Sequence, residues 1–157
     1  MKVEILLSKN ELIGSKLICW GTGKLYPNLD SELVPSHLAI LVDGFVYEST
    51  LFSGVRIVPF DSWLEINTIL YRQSRDIEID RYSFSKIFSS IWGKGYDWYG
   101  ICYYSICLIR FMLFNIPMPK TNKWAKSSKY FCTEVLGRML KKDYSMVVPV
   151  DMAVIGF

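Results

Sequence analysis

A single histidine, His37, serves the whole chain. Any imidazole chemistry near neutral pH therefore belongs to one position. No second histidine is present, and the four cysteines (Cys19, Cys102, Cys107 and Cys132) never fall at zinc-ligand spacing. A metal site is excluded on that pattern, and no cofactor is expected. A surplus of one charge is also missing, with 18 Lys and Arg against 15 Asp and Glu. The cations are scattered rather than gathered in a stripe, so nucleic-acid binding has no support. The start, Met1 to Leu7, lacks the long apolar region and small-residue cleavage site of a signal peptide. A cytoplasmic location is expected and, without export, no disulfide framework. Gly21-Thr22-Gly23-Lys24 is not a phosphate loop, because Ile18 stands where the first glycine belongs and Leu25 where Ser or Thr does. Internal repeats and low-complexity tracts are absent.

What is present is apolar side chain. Half the residues are hydrophobic and 15% are aromatic, which excludes a disordered chain. The length suits one domain, residues 1–157, with a core of its own. Residues 12–20 read as a short helix or a strand feeding a strand that ends near Trp20. Glycines and prolines make 21–35 a loop. Two β-rich runs, 37–42 and 45–50, flank Asp43-Gly44 and predict a two-residue hairpin. Strands are expected at 55–59 and 68–72, with a short turn or helix at 61–64 between them. Phe84, Ile87, Phe88, Ile91 and Trp92 form a helical stripe that Gly93 and Gly95 end. A long apolar stretch fills 98–116, and a Lys-rich loop, 120–129, follows. Residues 132–141 have helical spacing, and 147–151 read as extended. Strands come first and helices mostly later, so the fold class is α+β.

Two residues stand out against this frame. Cys132 falls at a predicted helix start, where unpaired N–H groups and the helix dipole favour a thiolate. His37 opens a strand and is the one available base. The hairpin adds a third group. If Val42 pairs with Phe45, then Ala39 pairs with Glu48 and His37 with Thr50. Glu48 and His37 then share a face and lie diagonally, with backbones about 7–8 Å apart, a gap a Glu side chain spans. A carboxylate there holds one ring nitrogen and leaves the other for the thiol. A loop one residue longer would turn Glu48 to the other face.

Here the residues resemble a family. Ser36-His37-Leu38-Ala39-Ile40, Val46-Tyr47-Glu48-Ser49, Gly95-Tyr96-Asp97-Trp98-Tyr99-Gly100 and Phe131-Cys132-Thr133-Glu134-Val135 are similar to segments of the permuted NlpC/P60 papain-like superfamily. The YiiX-like branch is the nearest in pattern, and the closing Pro149-Val150-Asp151-Met152 resembles a tail of that branch. Lecithin:retinol acyltransferase-like proteins are more distant. The segments run from about residue 12 to 153 in permuted order, His strand first and Cys helix second. The resemblance implies an antiparallel sheet packed with helices and a catalytic Cys at a helix N-terminus. It assigns Cys132 as nucleophile, His37 as base and Glu48 as the third residue. Tyr96 would wall the substrate cleft, and Trp20 is a second substrate-binding candidate. Thr133 departs from the usual Ser, and the stretch before Cys132 is unusually apolar.

Relatives on this fold include amidases, peptidases, acyltransferases and thioesterases, so fold leaves the substrate open. A cysteine amidase or peptidase is one expectation. A lipid-directed acyl hydrolase or transferase is a second, and a binding module without turnover a third. The partners implied are a peptide, an amide or an acyl lipid. The stretch 101–116 has more apolar positions than one core-facing stripe uses. The whole stretch 98–116 reads as a buried or rim helix, as a surface that receives an acyl chain or membrane, or as a span, although Arg110 would be costly inside a bilayer.

Overall fold

The computed structural model describes residues 1–126, 128–142 and 144–155, apart from the side chain of Ile155. Ser127, Asp143, Gly156 and Phe157, which the single-domain expectation for 1–157 includes, lie outside the described residues. The fold is α+β. Five strands, β1 (Lys2–Lys9), β2 (His37–Val42), β3 (Phe45–Thr50), β4 (Gly54–Pro59) and β5 (Thr68–Asp76), form one antiparallel sheet in the order β4-β3-β2-β1-β5. Six α-helices accompany it among the described residues: α1 (Ile13–Gly23), α2 (Phe60–Leu64), α3 (Arg81–Ile91), α4 (Trp98–Phe114), α5 (Cys132–Leu140) and α6 (Pro149–Ile155).

The hairpin forms as the sequence predicts. Val42 pairs with Phe45 across Asp43-Gly44. Both turn residues have positive φ, 51° and 79°, the conformation that an Asp-Gly turn admits. Alternation along β2 then sorts its side chains. Leu38, Ile40 and Val42 join Phe84 and Phe88 of α3 and Leu136 of α5 in the larger core. Ala39 and Leu41 face the other way, onto Trp63 of α2.

The first strand is where the sequence misleads. Lys2–Lys9 forms an interior strand of the sheet, between β2 and β5. Ile5, Leu6 and Leu7 are all buried, because one face meets the α3–α5 layer and the other meets Trp63. A strand covered on both sides has no polar alternation to betray it. Residues 13–20 are helical, as part of α1, with Leu12 its extended N-cap. Residues 147–151 are not extended, because α6 begins at Pro149. Proline suits a first helical position, where no N–H is needed, and Asp151 accepts the Val148 N–H at 2.8 Å.

A short stitched segment brings distant chain to the hairpin. Val55 N–H donates to Lys94 O and Gly93 N–H to Val55 O, at 2.9 and 3.0 Å. Tyr130 N–H donates to Gly95 O, and Ser49 Oγ donates to Tyr130 O. Gly54 is required at this seam. Its φ is +64°, and a Cβ there would come within 2.2 Å of Lys94 O. Tyr96 and Cys132, on either side of these bonds, are thereby set at the hairpin. No helix among the described residues is long and apolar enough to cross a membrane.

Candidate active site

The chemistry gathers at the end of the sheet where β2 begins. His37 is the first residue of β2, and Glu48 lies one strand away on β3 with its side chain on the Trp63 face. His37 Nε2 donates to Glu48 Oε2 at 2.6 Å. Cys132, the first residue of α5, belongs to the layer on the other side of the sheet. Its thiol lies close enough to the His37 ring to help raise the imidazole pKa. With Nε2 held by Glu48, Nδ1 is the nitrogen left for sulfur. His37 thus bridges the sheet's two faces at its open end, with carboxylate on one side and thiol on the other.

The carboxylate is held hard. Glu48 is 1% exposed, yet both its oxygens are satisfied. Oε2 accepts from His37 and from Trp63 Nε1 at 2.8 Å, and Oε1 accepts from Arg56 Nε at 2.8 Å and Nη2 at 2.7 Å. Burial alone would raise its pKa, but the bond and charge of His37, then Trp63 and Arg56, outweigh burial and hold Glu48 down at about 2. Burial likewise disfavours a charged His37. The hydrogen bonds to Cys132 and Glu48, with their negative charge, win and push the imidazole up to about 10. The arrangement therefore favours an imidazolium paired with the buried Glu48 carboxylate, with the Cys132 sulfur beside the ring.

Local structure explains why the thiol is there. α5 starts at Cys132, and the Glu134 carboxylate accepts the Phe131 N–H at 3.0 Å, fixing the first turn. Val135, Leu136 and Met139 bury the helix against the sheet. The first N–H groups of an α-helix have no intrahelical acceptor and favour a negative sulfur.

Beside this line lies a cavity of about 490 Å³, a size that fits a small organic group. His37, Glu48 and Tyr96 line it. Its floor is polar, with Asn10, Ser15, Ser36 and Asn67, and Ser15 and Ser36 share a short hydroxyl bond of 2.5 Å. Its mouth is apolar, formed by Leu12, Ile13, Phe52 and Ile66, all exposed. Tyr96 is buried next to the thiol. Burial first, then the negative charge of Cys132, pushes its phenol well above the usual value, so it keeps its proton.

Cys132, His37, Glu48 and Tyr96 thus come together. Trp20 does not join them. It sits in the second half of α1, 62% exposed and outside the cavity lining. The reason is the helix: seven residues beyond Ile13 at the mouth, it is carried about 10 Å along the axis. Arg56 and Trp63, which both donate to Glu48, belong to no sequence motif that points to this site. Arg56 was legible in principle, since it pairs opposite Glu48 across β3 and β4. Trp63 depends on how α2 folds back over the sheet. Among the described residues no three His, Cys, Asp or Glu side chains converge to hold a metal. Comparison with protein-family models, with curated proteins and with solved structures finds no match.

Proposed function

We propose that this protein is a cysteine hydrolase of amidase or peptidase type, built on a permuted papain-like (NlpC/P60) fold and working through an acyl-enzyme. The carrying observation is the buried Glu48 carboxylate on one ring nitrogen of His37 together with the Cys132 thiol beside the same ring. The Cys132 thiolate attacks a carbonyl carbon and forms the C–S bond. The resulting oxyanion meets the Cys132 backbone N–H and the neutral Tyr96 hydroxyl. The His37 imidazolium gives its proton to the leaving amine as the C–N bond breaks. Water then attacks the thioester, His37 takes its proton, and the acid departs as the C–S bond breaks and the thiolate is restored beside the imidazolium. Glu48 orients the ring and keeps the charged form available.

A second reading, acyl transfer or hydrolysis on a lipid, is favoured by one observation: the apolar, exposed mouth formed by Leu12, Ile13, Phe52 and Ile66. Side-by-side incubation with short peptide amides and with acyl-chain thioesters separates the two by which one is turned over.

The thiol itself is tested by brief iodoacetamide treatment near pH 6 and mass mapping. Ordinary thiols, with pKa about 8.5, are almost wholly protonated there. Cys132 is expected to label first. Cys102 is exposed but has no base, and burial pushes the Cys19 thiol up. His37→Ala should remove the preference. Labelling of Cys102 ahead of Cys132, or no effect of His37→Ala, would count against an activated thiol.

Tyr96→Phe separates the oxyanion role from a wall. Loss of the hydroxyl should lower turnover about 10–100-fold while leaving Cys132 alkylation unchanged. Unaltered turnover would make Tyr96 a wall alone.

A further inference from the structure

Two neighbouring helices leave apolar stripes without a partner. On α4, Tyr104, Cys107 and Leu108 face the core, while Cys102, Ile106, Ile109 and Leu113 recur at helical spacing on the opposite side. On α1, Ile13, Leu17 and Trp20 form a second stripe at i, i+4 and i+7. Exposure of the apolar members runs from 45% at Ile106 to 78% at Ile13. The helices touch closely enough that a Cβ on Gly21 would come within 3.2 Å of Leu108 Cδ2. Large exposed apolar side chains recurring along helix faces mark sites that meet a partner or a membrane.

The other edge of α4 carries charge. Seven of the chain's 18 Lys and Arg fall between residues 120 and 142, against one of its 15 acids, Glu134. The loop that opens this region lies along α4. Asn122 Nδ2 donates to Gly100 O at 2.8 Å, Trp124 packs on Tyr103 at 5.4 Å, and Lys126 Nζ sits 3.8 Å over the Tyr99 ring. Lys120, Lys123 and Lys126 are exposed, and so are Tyr99 and Trp124. The apolar stripe is therefore bordered by cations and by amphipathic aromatic rings. That combination suits the boundary between headgroups and acyl chains.

We infer that the α1–α4 face and the lysines of 120–126 dock this protein on the surface of an anionic bilayer. The occupant follows from charge: an apolar stripe alone would accept any apolar partner, but its lysine border selects an anionic surface. α4 is about 25 Å long and lies on the bilayer instead of crossing it. Ile13 belongs both to the α1 stripe and to the cavity mouth, so docking turns that mouth toward the lipid. The inference is independent of the thiol chemistry.

Flotation of the full chain with vesicles tests it. Vesicles of phosphatidylcholine with about 30% phosphatidylserine should bind the protein, and phosphatidylcholine alone should bind about tenfold or more weakly. Added salt should weaken the binding. Ile109→Glu with Leu113→Glu should reduce it about tenfold or more, with an unchanged thermal unfolding midpoint. Lys120→Glu with Lys123→Glu should reduce it about tenfold. Both pairs are exposed and lie outside the cavity, so folding is preserved. Cys132→Ala should bind as the parent does, which separates this result from the fate of the thiol reading. Absence of binding to the anionic vesicles, equal binding to both, or a soluble dimer that Ile109→Glu dissociates without any vesicle binding would overturn the inference.

Discussion

Cys132→Ala and His37→Ala are each expected to lower turnover by on the order of 10⁴-fold or more, and the double variant should be no worse than either single one. In the proposed scheme one imidazole serves one thiol, so removing either leaves the other without its partner. Glu48, Arg56 and Trp63 would still bind one another in the Cys132→Ala protein, so its fold should survive. Steady-state rates on the substrate class chosen by the side-by-side assay provide the measurement. Losses that multiply in the double variant would mean two independent roles and would remove the acyl-enzyme scheme. Full activity in either single variant would remove the site.

Glu48 should dominate how stability depends on pH. Its folded pKa, about 2, lies below the ordinary 4.5, so its contribution is complete above about pH 4.5 and is lost as pH falls through 2. His37 works in the opposite sense. Its folded pKa, about 10, lies above 6.5, so its contribution is complete below about pH 6.5 and fades as pH rises through 10. Greatest stability from this pair is therefore expected between about pH 4.5 and 6.5. Glu48→Leu should cost about 3–5 kcal/mol, because it strands the Trp63 N–H and the Arg56 and His37 donors around an apolar group. Glu48→Gln keeps an acceptor oxygen and should cost less, while flattening the acid limb of the stability profile. Denaturant unfolding across pH reads both effects. An acid limb identical in Glu48→Gln and the parent would show that other carboxylates set it.

The hairpin made part of the site readable. A two-residue Asp-Gly turn sets the register, and a period of two then puts Glu48 on His37's side without any knowledge of the remaining chain. Helical spacing likewise located α3 and α5, and so put Cys132 at a helix start. Lys2–Lys9 escaped because a strand buried on both faces has no alternation. Residues 12–20 stayed ambiguous because an apolar run of that length fits helix or strand.

The sequence by itself determined the parts whose cause is local: the turn, the strand parity, the helix periods, and the uniqueness of His37 as a base. Tertiary structure alone decided what meets across long separations. The seam of Gly54 with Lys94 and of Gly95 with Tyr130 carries α5 to the hairpin, and the fold-back of α2 puts Trp63 beneath Glu48. Those contacts depend on loop paths and on which faces are already covered, quantities that no window of residues contains. For the same reason the sequence revealed that 98–116 holds surplus apolar residues, but only the packed core showed which of them remain outside it, Ile106, Ile109, Leu113 and Phe114 among them.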